Sequence, residues 1–145
     1  MTRFLLIAAF ALSSFIGNGQ SLKLGYFPSI PSKIRSCGAL YTYDSVSLQK
    51  KKFIFLADFQ NLGLIILNGK QIKLDLKDSK TIGKENITVY SGGGYTITLR
   101  STMKGTSGKY DLEKGTLEMK KGTLKQTYKV QGQSWCDPAS QEGNG

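Results

Sequence analysis

The stretch Leu62 to Lys77, reading LGLIILNGKQIKLDLK, constrains this chain more than any other. Asn68-Gly69 joins a short apolar run to an alternating one, and both residues accept the positive φ of a type I′ turn, so the stretch predicts a tight β-hairpin. A two-residue turn also sets the pairing. Leu67 faces Lys70, Ile65 faces Ile72 and Gly63 faces Leu74 on one side of the ribbon, while Leu64 opposite Lys73, and Leu62 opposite Asp75, fall on the other. One face is a core wall, yet the second still carries Leu62, Leu64 and Ile66. Phe53 to Phe59, FIFLADF, reads as a neighbouring strand that is apolar on both faces as well. Strands apolar on both sides need a cover. The expected cover is the segment Tyr26 to Ile34, with Phe27 or Ile30 packed on the stripe.

The same alternation runs through the rest of the chain. Ile34 to Tyr43 reads as a first strand, and Asp44 to Lys52 as a polar connection. Ile87 to Tyr90, Tyr95 to Met103, Tyr110 to Leu112, Thr116 to Lys120 and Thr123 to Val130 read as further strands. Asp78 to Asn86 and Lys104 to Lys109 look like polar loops. The tetrapeptide Lys-Gly-Thr-Leu occurs at Lys114 and again at Lys121, each copy marking a turn that opens a strand. No segment beyond the first nineteen residues shows helical periodicity for longer than one turn. About seven or eight short strands predict an all-β fold, a small antiparallel β-barrel or sandwich, with closure preferred because it removes unpaired edges.

Residues 1–19 have the layout of a cleaved signal peptide: Arg3, then an uncharged apolar run from Phe4 to Ile16, then small residues. The run is shorter than the roughly 20 residues that cross a bilayer, so no membrane span is expected. Residues 20–33 follow as an extended lead-in carrying Pro28 and Pro31, residues 34–136 as the barrel domain, and residues 137–145 as a disordered tail. The domain reads as a monomer. Export turns attention to the two cysteines, Cys37 and Cys136. An even count in an oxidising compartment favours a disulfide, with two buried free thiols as the alternative.

Chemistry is narrowed by what the composition lacks. There is no histidine, which removes Ser-His-Asp and Cys-His sites and the common zinc shells. No phosphate-binding loop or dinucleotide fingerprint occurs. The sequence therefore predicts no enzyme, no cofactor and no metal site. Asp58 alone lies in a strongly apolar strand, either as a buried acid or, more simply, as the cap of a turn. The net charge of +10, or +9 once Arg3 is removed, attracts polyanions. For an exported chain these are envelope or extracellular polymers and not nucleic acid.

Several short motifs resemble the bacterial periplasmic inhibitors of C-type lysozyme. They are Leu67-Asn68-Gly69-Lys70, the loop Tyr90-Ser91-Gly92-Gly93-Gly94-Tyr95, Lys114-Gly115, and a domain bounded by Cys37 and Cys136. The chain is also similar to small secreted bacterial proteins that share its Asn-Gly-Lys hairpin. The inhibitor resemblance implies a small antiparallel barrel that inserts Ser91, Gly92, Gly94 and Lys114 into a muramidase cleft. A hydroxyl and an ammonium would there meet catalytic carboxylates through charge-assisted hydrogen bonds. Ser107-Gly108-Lys109-Tyr110 competes as the counterpart of the serine loop. Two functions follow as expectations: an exported, non-catalytic inhibitor of a lysozyme-like protein, or a basic surface protein binding anionic polymers.

Overall fold

The computed structural model describes residues 22–34 and 36–136. The signal peptide and the disordered tail expected above lie outside them. A short 3-10 helix, Ser32–Ile34, precedes β1 (Cys37–Thr42), and α1 (Ser45–Gln49) leads to β2 (Phe55–Ala57). Then come β3 (Leu62–Leu67), β4 (Lys70–Ile82), β5 (Glu85–Gly92), β6 (Tyr95–Ser107), β7 (Tyr110–Lys121) and β8 (Leu124–Cys136). Each strand pairs antiparallel with the next, and β8 returns to β1, so the eight strands form a closed up-and-down barrel. Closure pairs Cys37 with Cys136 across the seam, and the two are joined by a disulfide.

The hairpin at Asn68-Gly69 has the pairing that its turn demands. Asn68 and Gly69 have φ of 52° and 74°, and Leu67 pairs with Lys70, Ile65 with Ile72, Gly63 with Leu74 and Leu62 with Asp75. The adjoining register is Phe55 to Ile65, Leu56 to Leu64 and Ala57 to Gly63. The expected loops are much shorter than their composition implies. β4 runs on to Ile82 and turns at Gly83-Lys84, and β6 runs on to Ser107 and turns at Gly108-Lys109. The first Lys-Gly-Thr-Leu copy lies inside β7, and only the second opens a strand, after the turn at Gly122. α1 occupies the expected polar connection and is capped by Asp44, whose carboxylate accepts from the Ser47 amide at 2.7 Å. That bond holds the Asp44 carboxyl below its ordinary range.

Apolar burial divides into two clusters, one inside the barrel and one outside. The inner cluster includes Phe55, Ile65, Leu74, Ile97, Leu117, Met119 and Val130. The outer one joins Leu56, Leu62 and Leu64 to Phe27, Ile34, Phe53 and Trp135, with Ile30 packed against it. The apolar back of the β2–β3 pair is thus covered by the lead-in, as its sequence requires. The lead-in goes further than a surface strap. β2 has only three residues, so the top of β3 outruns it, and Leu24 bridges to Leu67 while the Gly25 amide donates to the Ile66 carbonyl at 2.8 Å. Leu22 and Leu24 thereby enter the inner cluster and close that end of the barrel. Tyr43 and Tyr128 donate their hydroxyls to the Leu24 and Leu22 carbonyls, which pins the plug.

Candidate functional site

Inward positions change character halfway along the barrel. The plugged half is filled by Phe55, Ile65, Leu74, Ile97, Leu117 and Met119. The other half turns Ala39, Ala57, Thr88, Ser101 and Ser134 inward, which are too small to meet across an eight-stranded barrel. A pocket of about 390 Å3 remains there. Its floor is buried, with Tyr41 at 3% and Tyr90 at 6% exposure, whereas its lip carries Phe59 at 56% and Met103 at 58%. The pocket is therefore blind at the plugged half and open to solvent at the opposite end.

Glycines create the space for the two tyrosines. A Cβ on Gly132 would stand 2.4 Å from Cδ1 of Tyr41, and one on Gly63 would stand 2.9 Å from Cδ1 of Tyr90. The Tyr41 hydroxyl donates to Oε2 of Glu113 at 2.9 Å, and the Ser101 hydroxyl donates to Oε1 of the same carboxylate at 3.0 Å. Burial, and then the Glu113 charge, push the Tyr41 phenol well above its ordinary value. Burial, and then the Asp58 charge, push Tyr90 up to about 12. Both phenols stay protonated donors at neutral pH. Asp58 caps the β2–β3 turn, its Oδ1 accepting from the amides of Gln60, Asn61 and Leu62 at 3.0, 2.9 and 2.8 Å. It lines the pocket from that position, and Asp111 joins it from the exposed start of β7.

The residues expected from the sequence to bind a partner are placed elsewhere. Ser91 and Gly92 end β5 and Gly94 completes its turn, all at the plugged end. Gly92 has a packing reason to be glycine: a Cβ there would lie 2.3 Å from the Lys73 carbonyl oxygen. Lys114 is exposed on the outer wall in the interior of β7, paired with Thr102 and Gln131. Ser91 pairs with Thr96, six residues along β6 from Thr102, which is about 20 Å of strand. The structure does not bring Ser91 and Lys114 to one rim. Ser107 sits at the opposite end, beside the β6–β7 turn.

Of the pocket carboxylates, Asp58 is marked by its apolar strand, whereas Asp111 and Glu113 escape a sequence reading because β7 inverts the usual pattern. Its first half turns Asp111 and Glu113 inward and Tyr110 outward, where that ring meets Trp135 edge-on at 5.7 Å. The available signal is a set of small residues at alternate positions, Gly132 and Ser134 in β8, beside Ala39 in β1 and Ser101 in β6. Comparison of the chain with protein family models, with curated proteins and with solved structures finds no match to any of them.

Proposed function

We propose that this chain is an exported, non-catalytic binding barrel that holds a small organic molecule in its open half. The observation that carries the reading is the blind pocket, whose buried polar floor is ringed by two large apolar side chains kept exposed at its lip. Its volume falls within the roughly 300–1,000 Å3 of small-molecule sites, and it combines apolar wall with a few convergent polar groups. Binding is favoured over turnover by how the carboxylates are held. Both oxygens of Glu113 and one oxygen of Asp58 already sit in fixed hydrogen bonds to neutral donors.

Methionine methyl NMR tests this directly, because Met103 stands on the lip and Met119 is fully buried in the plugged half. Titration with octylammonium, octanol and octanoate is expected to shift the Met103 methyl saturably and leave Met119 in place. If no member of the set moves Met103, the pocket does not bind such ligands and the reading fails.

A second reading is favoured by the outer wall. Arg100, Lys114, Lys120, Lys125 and Lys129 are all exposed on β6–β8, where Glu118 is the acid that pairs with two of them. Such a face suits an anionic polymer. Retention on heparin that falls steeply with salt is the expected result, and weak retention at low salt would discard it.

A further inference from the structure

The pocket wall has a charge opposite to that of the protein. Three of the ten carboxylates in the chain, Asp58, Asp111 and Glu113, line it, and none of the Lys or Arg residues described does. The chain holds two cations for every acid, so composition alone would favour the reverse. Nor are these carboxylates neutralised by their surroundings. Among the described residues, ion pairs join Arg100 to Glu85 and Glu118 to Lys120 and Lys125, leaving the three pocket acids outside any pair. Glu113 is oriented by two hydroxyls that fix its position without cancelling its charge.

A half-enclosed wall lowers the local dielectric, which makes a fixed carboxylate a stronger attractor of cations than one in water. The rest of the lining decides which cation. Among the described residues the acids form no group able to hold a metal ion. Tyr41 and Tyr90 supply aromatic surface of the kind that favours organic cations, and Phe59 and Met103 offer apolar contact further out.

We propose that the pocket binds an organic ammonium ion carried on a short apolar body, with the ammonium among Glu113, Asp58 and Asp111 and the body against Phe59 and Met103. The proposal rests on the small-ligand reading above and specifies its chemistry. An alkylammonium gains the carboxylates, an alcohol of equal length gains only the apolar contact, and a carboxylate of equal length is repelled.

Calorimetric titration of the disulfide-bonded chain with octylammonium, octanol and octanoate at one ionic strength measures that order. Octylammonium is expected to bind at least about tenfold tighter than octanol, as one charged hydrogen bond contributes, with octanoate weakest. Glu113→Gln keeps an acceptor near Tyr41 and Ser101 but removes the charge, and it should abolish most of the preference. Asp111→Asn, at an exposed position that packing does not constrain, should reduce it whether or not Glu113→Gln folds. If octanol or octanoate equals octylammonium, the ammonium proposal is overturned and the small-ligand reading survives. Folded variants that keep the full preference would overturn it in the same way. If all three probes leave the Met103 methyl unmoved, both fall together.

Discussion

Tyr41 and Tyr90 share an arrangement in which a buried phenol sits close to a carboxylate, and this makes them sensors of alkaline pH. Burial comes first among the causes of both shifts, followed by Glu113 for Tyr41 and Asp58 for Tyr90. An unfolded phenol releases its proton near pH 10, whereas folded Tyr90, and likewise Tyr43 near the plug, hold theirs to about 12. Below pH 10 both states are protonated and stability is complete. Between 10 and 12 the unfolded chain has lost protons that the folded chain keeps, so folding weakens as pH rises. Denaturant melts followed across that window should show a steady decline, with the ring resonances of Tyr41, Tyr43 and Tyr90, followed individually by NMR, reporting ionisation late and together with unfolding. Early ionisation of Tyr41 or Tyr90 in the intact fold would contradict their buried placement. Gly132 belongs to the same set of contacts. Gly132→Ala would drive a methyl into the Tyr41 ring and to 2.7 Å from the Leu40 carbonyl oxygen. A loss of about 2 kcal/mol is expected from such overpacking, and a change under about 0.5 kcal/mol would show that the ring moves freely.

Among the elements, the lead-in does two jobs that its composition separates. Phe27 and Ile30 cover the outside of the β2–β3 pair, while Leu22 and Leu24 close the inside. Leu24 is 1% exposed, so Leu24→Ala removes buried volume and should destabilise by about 3 kcal/mol in urea unfolding. Lys23→Ala, at an exposed position between them, serves as the silent control. The cover was readable in advance because a two-residue turn fixes register, and register fixes which apolar residues lie outside. The strand extensions were not readable for the opposite reason. Asp78 to Ile82 and Lys104 to Ser107 are exposed over most of their length, so no apolar alternation marks them, and only backbone pairing across tight turns makes them strands. Gly115 misled in a third way. Its φ is not positive, and it is glycine because a Cβ would lie 1.7 Å from the Arg100 carbonyl oxygen, which is a demand of strand approach and not of a turn.

At the scale of the whole molecule, the barrel is unevenly held around its circumference. Eleven residue pairs join β6 to β7 and eleven join β7 to β8, but three join β1 to β2 and three join β2 to β3. The side containing β2 is the narrow one, and its outer face is where the second apolar cluster lies. β1 is otherwise retained by six pairs to β8, with the Cys37–Cys136 bridge at their outermost position. That bridge joins residues 99 apart in sequence, so it restricts an unfolded chain over nearly the whole barrel. The loop-entropy treatment gives about 4.7 kcal/mol for a loop of this length. Removing both cysteines by Cys37→Ser and Cys136→Ser should therefore lower the urea midpoint strongly and raise the slope, since the unlinked chain exposes more surface on unfolding. The folded barrel itself has no need of the bridge to pair β1 with β8, because five further residue pairs remain. The double variant should accordingly keep the native far-ultraviolet spectrum and the Met103 and Met119 methyl positions in the absence of denaturant. If instead those methyl signals collapse, the bridge is holding the seam shut in the folded state. Closure of the barrel, and with it the pocket, would then depend on an oxidising compartment.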